Sequence, residues 1–200
     1  LAIDATGGSG PGLRVGPNID NVNITQPGST ISNASQDGIL FAGGSANSTV
    51  GGFTITNSGG SGVSILSGFY GGTSAFTNLM VTGSAVDGFA ATGAFGFHVT
   101  NSEFTTNGRH GIHFDRTYSS HAQNNTIGNN ALYGVLVVSS SSNGTTGNAT
   151  VTGSFIGTNA SGDVMPNGRS GIWVLGNAEG HGTVDTVSIT GNTIANNAVH

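Results

Sequence analysis

The feature that most constrains this chain is a four-residue unit, Gly-apolar-x-apolar. It occurs at Gly12-Leu13-Arg14-Val15, Gly38-Ile39-Leu40-Phe41, Gly62-Val63-Ser64-Ile65, Gly88-Phe89-Ala90-Ala91, Gly111-Ile112-His113-Phe114, Gly134-Val135-Leu136-Val137 and Gly171-Ile172-Trp173-Val174. The glycines are spaced by 26, 24, 26, 23, 23 and 37 residues, five similar intervals and one long one. Seven residues before the glycine stands a second apolar marker: Ile31, Ile55, Val81, Phe104 and Ile127. Five residues earlier again come Val50, Phe76, Val99 and Ala122, with Gln26 as the exception. Inward residues two apart, separated by polar turns, are a strand signal, and no helical period survives the turns. A repeat of this length must be read as one structural unit that cannot bury its own apolar side.

Three short strands per unit and no helix predict an all-β chain, a right-handed parallel β-helix (a single-stranded solenoid) of about seven coils. At about 4.8 Å per coil the rod would be on the order of 35 Å long. A leucine-rich repeat would need its leucine and asparagine frame, and a β-sandwich would not keep two markers seven residues apart through successive units. In this register Ile39, Val63, Phe89, Ile112, Val135 and Ile172 stack as one inward ladder. Phe41, Ile65, Ala91, Phe114, Val137 and Val174 form another. The glycine before each ladder permits either a positive φ or a close backbone approach. Asn33, Asn57, Asn107, Asn129 and Asn130 at the turns can adopt left-handed conformations or hydrogen-bond to the next coil's asparagine.

Composition narrows the function. Only 6% of the residues are charged, and four Lys+Arg against nine Asp+Glu leave no basic stripe for a phosphate backbone, so nucleic acid is not an expected partner. Zero cysteines remove disulfides, thiolate zinc sites and thiol catalysis. No apolar run is long enough to span a bilayer.

Residues 1–200 read as a single β-helix segment, truncated at both ends: Ile194 and Asn196-Asn197 start a unit whose glycine would fall one position beyond His200. The long interval holds eight extra residues between Ile156 and Gly171, predicted as a loop at 157–170 projecting from the rod, where recognition is commonly carried. A second polar excursion runs from Gly176 to Thr183.

The stretch Asn107-Gly108-Arg109-His110-Gly111-Ile112-His113-Phe114-Asp115-Arg116 concentrates ionisable groups in a nearly uncharged chain. Arg109, His110, His113 and Asp115 are the candidate catalytic residues: Arg109 could neutralise a uronate carboxylate, and either histidine could act as acid or base. Trp173, the only tryptophan, points outward beside the insertion and, with Tyr133 and Arg169, makes the candidate substrate-binding set. His98 and His121 fall six residues before Phe104 and Ile127, so they should stack on adjacent coils, where Glu103 or Asp115 could join them around a transition metal. No spacing in the chain specifies such an ion, and neither a metal site nor a cofactor is assigned. Asp163 alone is too little for Ca2+, which is left as a ligand of other parts of a parent protein.

With these residues in place, the whole chain resembles the right-handed parallel β-helix repeat proteins of the pectate-lyase-like group. Asn107-Gly108-Arg109-His110-Gly111 is similar to a segment of the mannuronan C-5 epimerases, enzymes of alginate, whose Arg-His pair lies beside the substrate groove. That resemblance carries over to Arg109 and His110 alone. The acid-and-base sequence of those enzymes, Tyr-Gly-Phe-Asp-Pro-His, has no counterpart between Ser58 and Tyr70, which hold no aspartate and no histidine. Phe155-Ile156-Gly157-Thr158-Asn159-Ala160-Ser161-Gly162 and Asn167-Gly168-Arg169-Ser170-Gly171-Ile172 resemble repeats of large bacterial surface or secreted proteins. These resemblances imply an exported bacterial protein, extracellular or at the cell surface, serving as a structural or carbohydrate-contacting, stalk or adhesin-like segment. The alternative is an epimerase or lyase acting on uronate polymers. The implied partner is an extracellular polysaccharide or cell-surface glycan, with lateral self-association of rods as a further expectation.

Overall fold

The computed structural model describes residues 1–44, 46–141, 143–176 and 182–199. Those residues form strands and turns without a helix. One parallel sheet holds the seven Gly-initiated strands: Leu13–Val15, Ile39–Phe41, Val63–Ile65, Phe89–Thr92, Ile112–Asp115, Val135–Val138 and Ile172–Leu175. A 13-stranded sheet supplies the rest of the wall. Its two arms are continuous in Asn23–Ser32 and Thr49–Thr56, and separate thereafter, as in Phe95–Thr100 followed by Glu103–Thr105. Later coils therefore carry three strands. The rod has about six turns rather than seven, because each glycine marks a strand and seven stacked strands bound six full turns.

Register follows the repeat. Leu13, Ile39, Val63, Phe89, Ile112, Val135 and Ile172 are successive pairing partners. Ile31, Ile55, Val81, Phe104, Ile127, Ile156 and Ile194 form the second column. The exception at Gln26 is absorbed by an irregularity between Thr25 and Ser29, which brings Ile24 opposite Val50. Extra residues bulge out so that an apolar one can still face inward.

Inside the first coils the filling is aromatic: Phe76 packs against Phe41 and Phe89 with ring centroids 5.6 and 5.2 Å away. Each fully buried side chain of this size stabilises by about 1.5–3 kcal/mol, but only when the neighbouring coils cover it. The glycines before the ladder strands answer the choice left by sequence. Gly62 and Gly111 are absent from the positive-φ residues, whereas a Cβ on Gly111 would lie 2.8 Å from the Gly134 carbonyl oxygen. Close approach is the constraint.

The turn asparagines divide into two groups. Asn33, Asn57 and Asn129 adopt φ of 57, 55 and 56°. Asn107 and Asn130 are instead buried in a ladder continued by Asn167 and Asn197, each Nδ2 donating to the next Oδ1 at 2.9, 3.0 and 2.8 Å. The insertion closes on itself before it reaches that ladder. Thr158 pairs antiparallel with Val164, Met165 N–H donates to Gly157 O at 3.0 Å, and the Asn159 Oδ1 accepts from Ser161 and Asp163 N–H at 3.0 Å each. Residues 160–164 are exposed. The excursion expected after Gly176 lies, from 177 to 181, outside the described residues.

Candidate functional site

The position just before the ladder glycine is occupied, from Gly38 to Gly134, by Asp37, Ser61, Asp87, His110 and Tyr133. The first four of these side chains each accept the backbone N–H of the residue one coil on. Ser61 N–H donates to Asp37 Oδ1 at 2.8 Å and Asp87 N–H to Ser61 Oγ at 3.4 Å. His110 N–H donates to Asp87 Oδ1 at 3.0 Å and Tyr133 N–H to His110 Nδ1 at 3.3 Å. From Asp37 to His110 this column supplies an acceptor for the next coil's amide at the bend. His110 therefore has a scaffold role that sets its tautomer: with Nδ1 accepting, the neutral ring carries its proton on Nε2. Arg109 Nη2 sits 3.5 Å from that Nε2, a contact of two donors rather than a hydrogen bond.

Three residues further along each coil is the outward column of the ladder strands, in which His113, Leu136 and Trp173 are neighbours. His113 Nδ1 donates to the second oxygen of Asp87 at 3.1 Å. Asp87, 2% exposed, thus holds one histidine by its ring and the other by its backbone. Burial works to raise the Asp87 pKa, but the hydrogen bond from His113 and the positive charge of His113, His110 and Arg109 outweigh it and keep the carboxyl below its usual range. His110 is pushed from 6.5 to about 4, first by burial and then by the nearby charges of His113 and Arg109, against the opposing pull of Asp87. At neutral pH its ring is uncharged.

A third column, two residues before the glycine, runs through Arg109, Leu132 and Arg169, with Leu132 N–H to Arg109 O at 2.7 Å and Arg169 N–H to Leu132 O at 2.8 Å. The three columns converge on a cleft of about 390 Å³ lined by Arg109, His110, His113, Tyr133, Arg169 and Trp173, with leucines 132, 136 and 175. His110 and Tyr133 stack at 5.3 Å and 13°, and Tyr133 meets Trp173 at 4.9 Å and 52°. The Arg169 guanidinium lies 5.8 Å above the Tyr133 ring, and its Nη1 donates to the phenol oxygen at 3.4 Å. Six of the seven residues singled out in the sequence are thereby gathered.

Asp115 does not itself line the cleft but is bonded to Ser140, which does. Its Oδ1 accepts the Ser140 N–H at 2.8 Å, and its Oδ2 accepts the Ser140 hydroxyl at 2.6 Å and Arg116 Nε at 3.4 Å. It holds a turn. Asp87 takes the carboxylate position beside the histidines, and its signal was the recurrence of Asp, Ser, Asp, His in one column. His98 and His121 do stack, 4.5 Å apart at 19°, and His121 Nδ1 lies 2.7 Å from Thr150 Oγ1. Burial, then the charge of His98, lowers the His121 pKa. A larger hollow of about 510 Å³, around Asn78, Asn101, Asn124 and Glu103, has no aromatic ring in its lining.

The family model for the right-handed β-helix region matches residues 15–198. The chain belongs to the right-handed β-helix family. Among solved structures, this β-helix is similar to the A-module of the mannuronan C-5 epimerase AlgE4 from Azotobacter vinelandii, with a TM-score of 0.54 and 17% identity over 90% of this chain. The match spans 56% of that module, and identity at this level establishes shared fold. No curated protein sequence matches the chain. Among the described residues no helix is long and apolar enough to cross a membrane.

Proposed function

We propose that this β-helix segment binds an acidic polysaccharide along its lateral cleft, as part of an exported stalk or adhesin-like protein at the cell surface. The observation that carries the reading is convergence: Tyr133, Trp173 and two of the chain's four Lys+Arg residues, Arg109 and Arg169, line one cleft. Aromatic rings offer flat apolar faces to pyranose rings, and guanidinium groups pair with carboxylates in a fixed fork. His110 is neutral near pH 7, so the arginines supply the cleft's permanent positive charge. Because Trp173 is the sole tryptophan, its fluorescence reports on the cleft directly. Titration with alginate and pectin oligosaccharides should change that fluorescence, and Arg109→Ala with Arg169→Ala should weaken binding by tenfold or more, equivalent to about 1.4 kcal/mol. An unchanged spectrum across the panel, with no retention on immobilised polymer, would remove the reading.

A second reading, an epimerase or lyase on uronate polymers, is favoured by one feature: the carboxylate of Asp87 orients His113 and leaves its other ring nitrogen without a partner. An imidazole backed by a carboxylate is the arrangement of a general base. The likeness to the epimerase module supports this reading in fold only. A uronate-product assay on the same oligosaccharides separates the two, since a binding stalk gives saturation without turnover.

A further inference from the structure

His113 and His110 carry opposite hydrogen-bonding polarity into the same cleft. His113 donates through Nδ1 to Asp87, so in its neutral form Nε2 is a lone-pair acceptor. His110 accepts through Nδ1 from Tyr133 N–H, so its Nε2 carries the proton and is a donor. Their ring centroids are 5.4 Å apart at 66°, and both line the cleft. His113 Nε2 is buried and has no hydrogen-bond partner. A buried unpaired acceptor is costly and marks a place where a partner is missing.

A group that both donates and accepts, such as a hydroxyl, matches this pair. A carboxylate only accepts and would leave His113 Nε2 unsatisfied; an ammonium only donates and would oppose His110 Nε2–H. We propose that His113 and His110 together read a sugar hydroxyl, which donates to His113 Nε2 and accepts from His110 Nε2–H, with Asp87 as the positioning residue that sets the His113 tautomer. This inference rests on the cleft being a carbohydrate site, and it assigns the arginines to acidic groups and the histidines to a neutral one. The shielding of His113 Nε2 means that the hydroxyl enters by displacing the side chains that cover it. Binding would then be selective for a particular hydroxyl rather than for charge alone.

The test has two independent parts. In nitrogen-labelled protein near neutral pH, long-range proton–nitrogen NMR correlations should report His113 protonated on Nδ1 and His110 on Nε2. His113 found with its proton on Nε2 overturns the proposal whatever the protein binds. Binding of trigalacturonate and of a mannuronate trisaccharide, each compared with derivatives lacking one hydroxyl, is then followed by Trp173 fluorescence. One deoxy derivative should bind roughly tenfold or more weakly, the effect of stranding a buried polar group. Asp87→Asn, which can present an N–H to His113 Nδ1, should shift the His113 tautomer and erase that difference, the parent sugar now binding as weakly as its deoxy derivative. Should the variant not fold, the comparison of sugars on the unmodified protein remains decisive. Equal binding of all deoxy derivatives sinks hydroxyl reading and leaves the carbohydrate reading standing. Absence of binding to every sugar overturns both, and turnover to an unsaturated uronate product would reassign His113 as a base.

Discussion

The coils from Phe41 to Phe114 and those from Ala122 to Ile156 share one register but are filled differently. Eight phenylalanines, from Phe41 to Phe114, are fully buried in the first group, and none in the second, where Ala122, Ile127, Val135, Val137, Ala149 and Val151 fill the interior. At the turn four residues before the glycine the contrast reverses. Ala34, Ser58 and Ser84 stand there in the earlier coils of the first group; Asn107, in its last coil, begins the asparagine series that Asn130 and Asn167 continue. The Ser58 and Ser84 hydroxyls are buried without partners, whereas the asparagines bond to one another from coil to coil. The same wall can thus be held either by interlocking rings or by an amide ladder. The cleft is built on the second kind, on the outside, and its geometry depends on register rather than on how the interior is filled.

The sharpest way to break this comparison is Phe76→Ala, which removes a ring packed against Phe41, Phe69 and Phe89. It should cost about 3–5 kcal/mol in urea unfolding, while Ile156→Val in the later coils should cost about 0.5–1.5 kcal/mol. A cost for Phe76→Ala no greater than that of Ile156→Val would mean that the neighbouring rings collapse into the space the side chain leaves. Asn130→Ala should come next, at about 2–3 kcal/mol, because it strands groups on Asn107, on Asn167 and at the Phe104 carbonyl. A loss below 1 kcal/mol would demote the ladder to a by-product of composition.

Acid should act through the cleft. The folded pKa of His110 is depressed from 6.5 to about 4, so across that window the unfolded chain binds a proton that the folded one refuses. Stability from this group is fully present above pH 6.5 and is lost as pH falls toward 4, by on the order of 2 kcal/mol after allowance for water at the cleft mouth. Asp87, whose folded pKa is also depressed, adds a loss in the same direction at lower pH, as its carboxylate protonates. Unfolding midpoints of His110→Gln measured from pH 7 to 4 should show a shallower slope than the parent; an identical slope would locate acid sensitivity elsewhere. The smallest effect should come from Ser84→Asn, which offers Ser58 and Asn107 a ladder neighbour and should stabilise by up to about 1 kcal/mol. A destabilised variant would show that the early turns are too tight for an amide.

Much of the fold was legible because coil length and strand alternation together assign every residue to a column. The ladders as far as Val135 and Val137, the stacked His98 and His121, and the outward placement of His113 and Trp173 all follow from counting, whereas Val174, expected to end one inward ladder, is exposed. Counting did not reveal the bulge that brings Ile24 inward in place of Gln26, or the one-turn difference between strands and coils. It also left Asp115 among the candidate residues, although in the rod both of its oxygens are committed to Ser140.

By itself, then, the sequence determined which residues share a column, since a parallel stack repeats its register at every turn. Only the tertiary structure decided which columns meet. Asp87 and His113 lie in different columns 26 residues apart, and the bend between them brings carboxylate and imidazole to 3.1 Å. That distance depends on the angle at which one strand leaves the turn, which is set by close packing of glycine against the next coil and not by any local pattern in the chain.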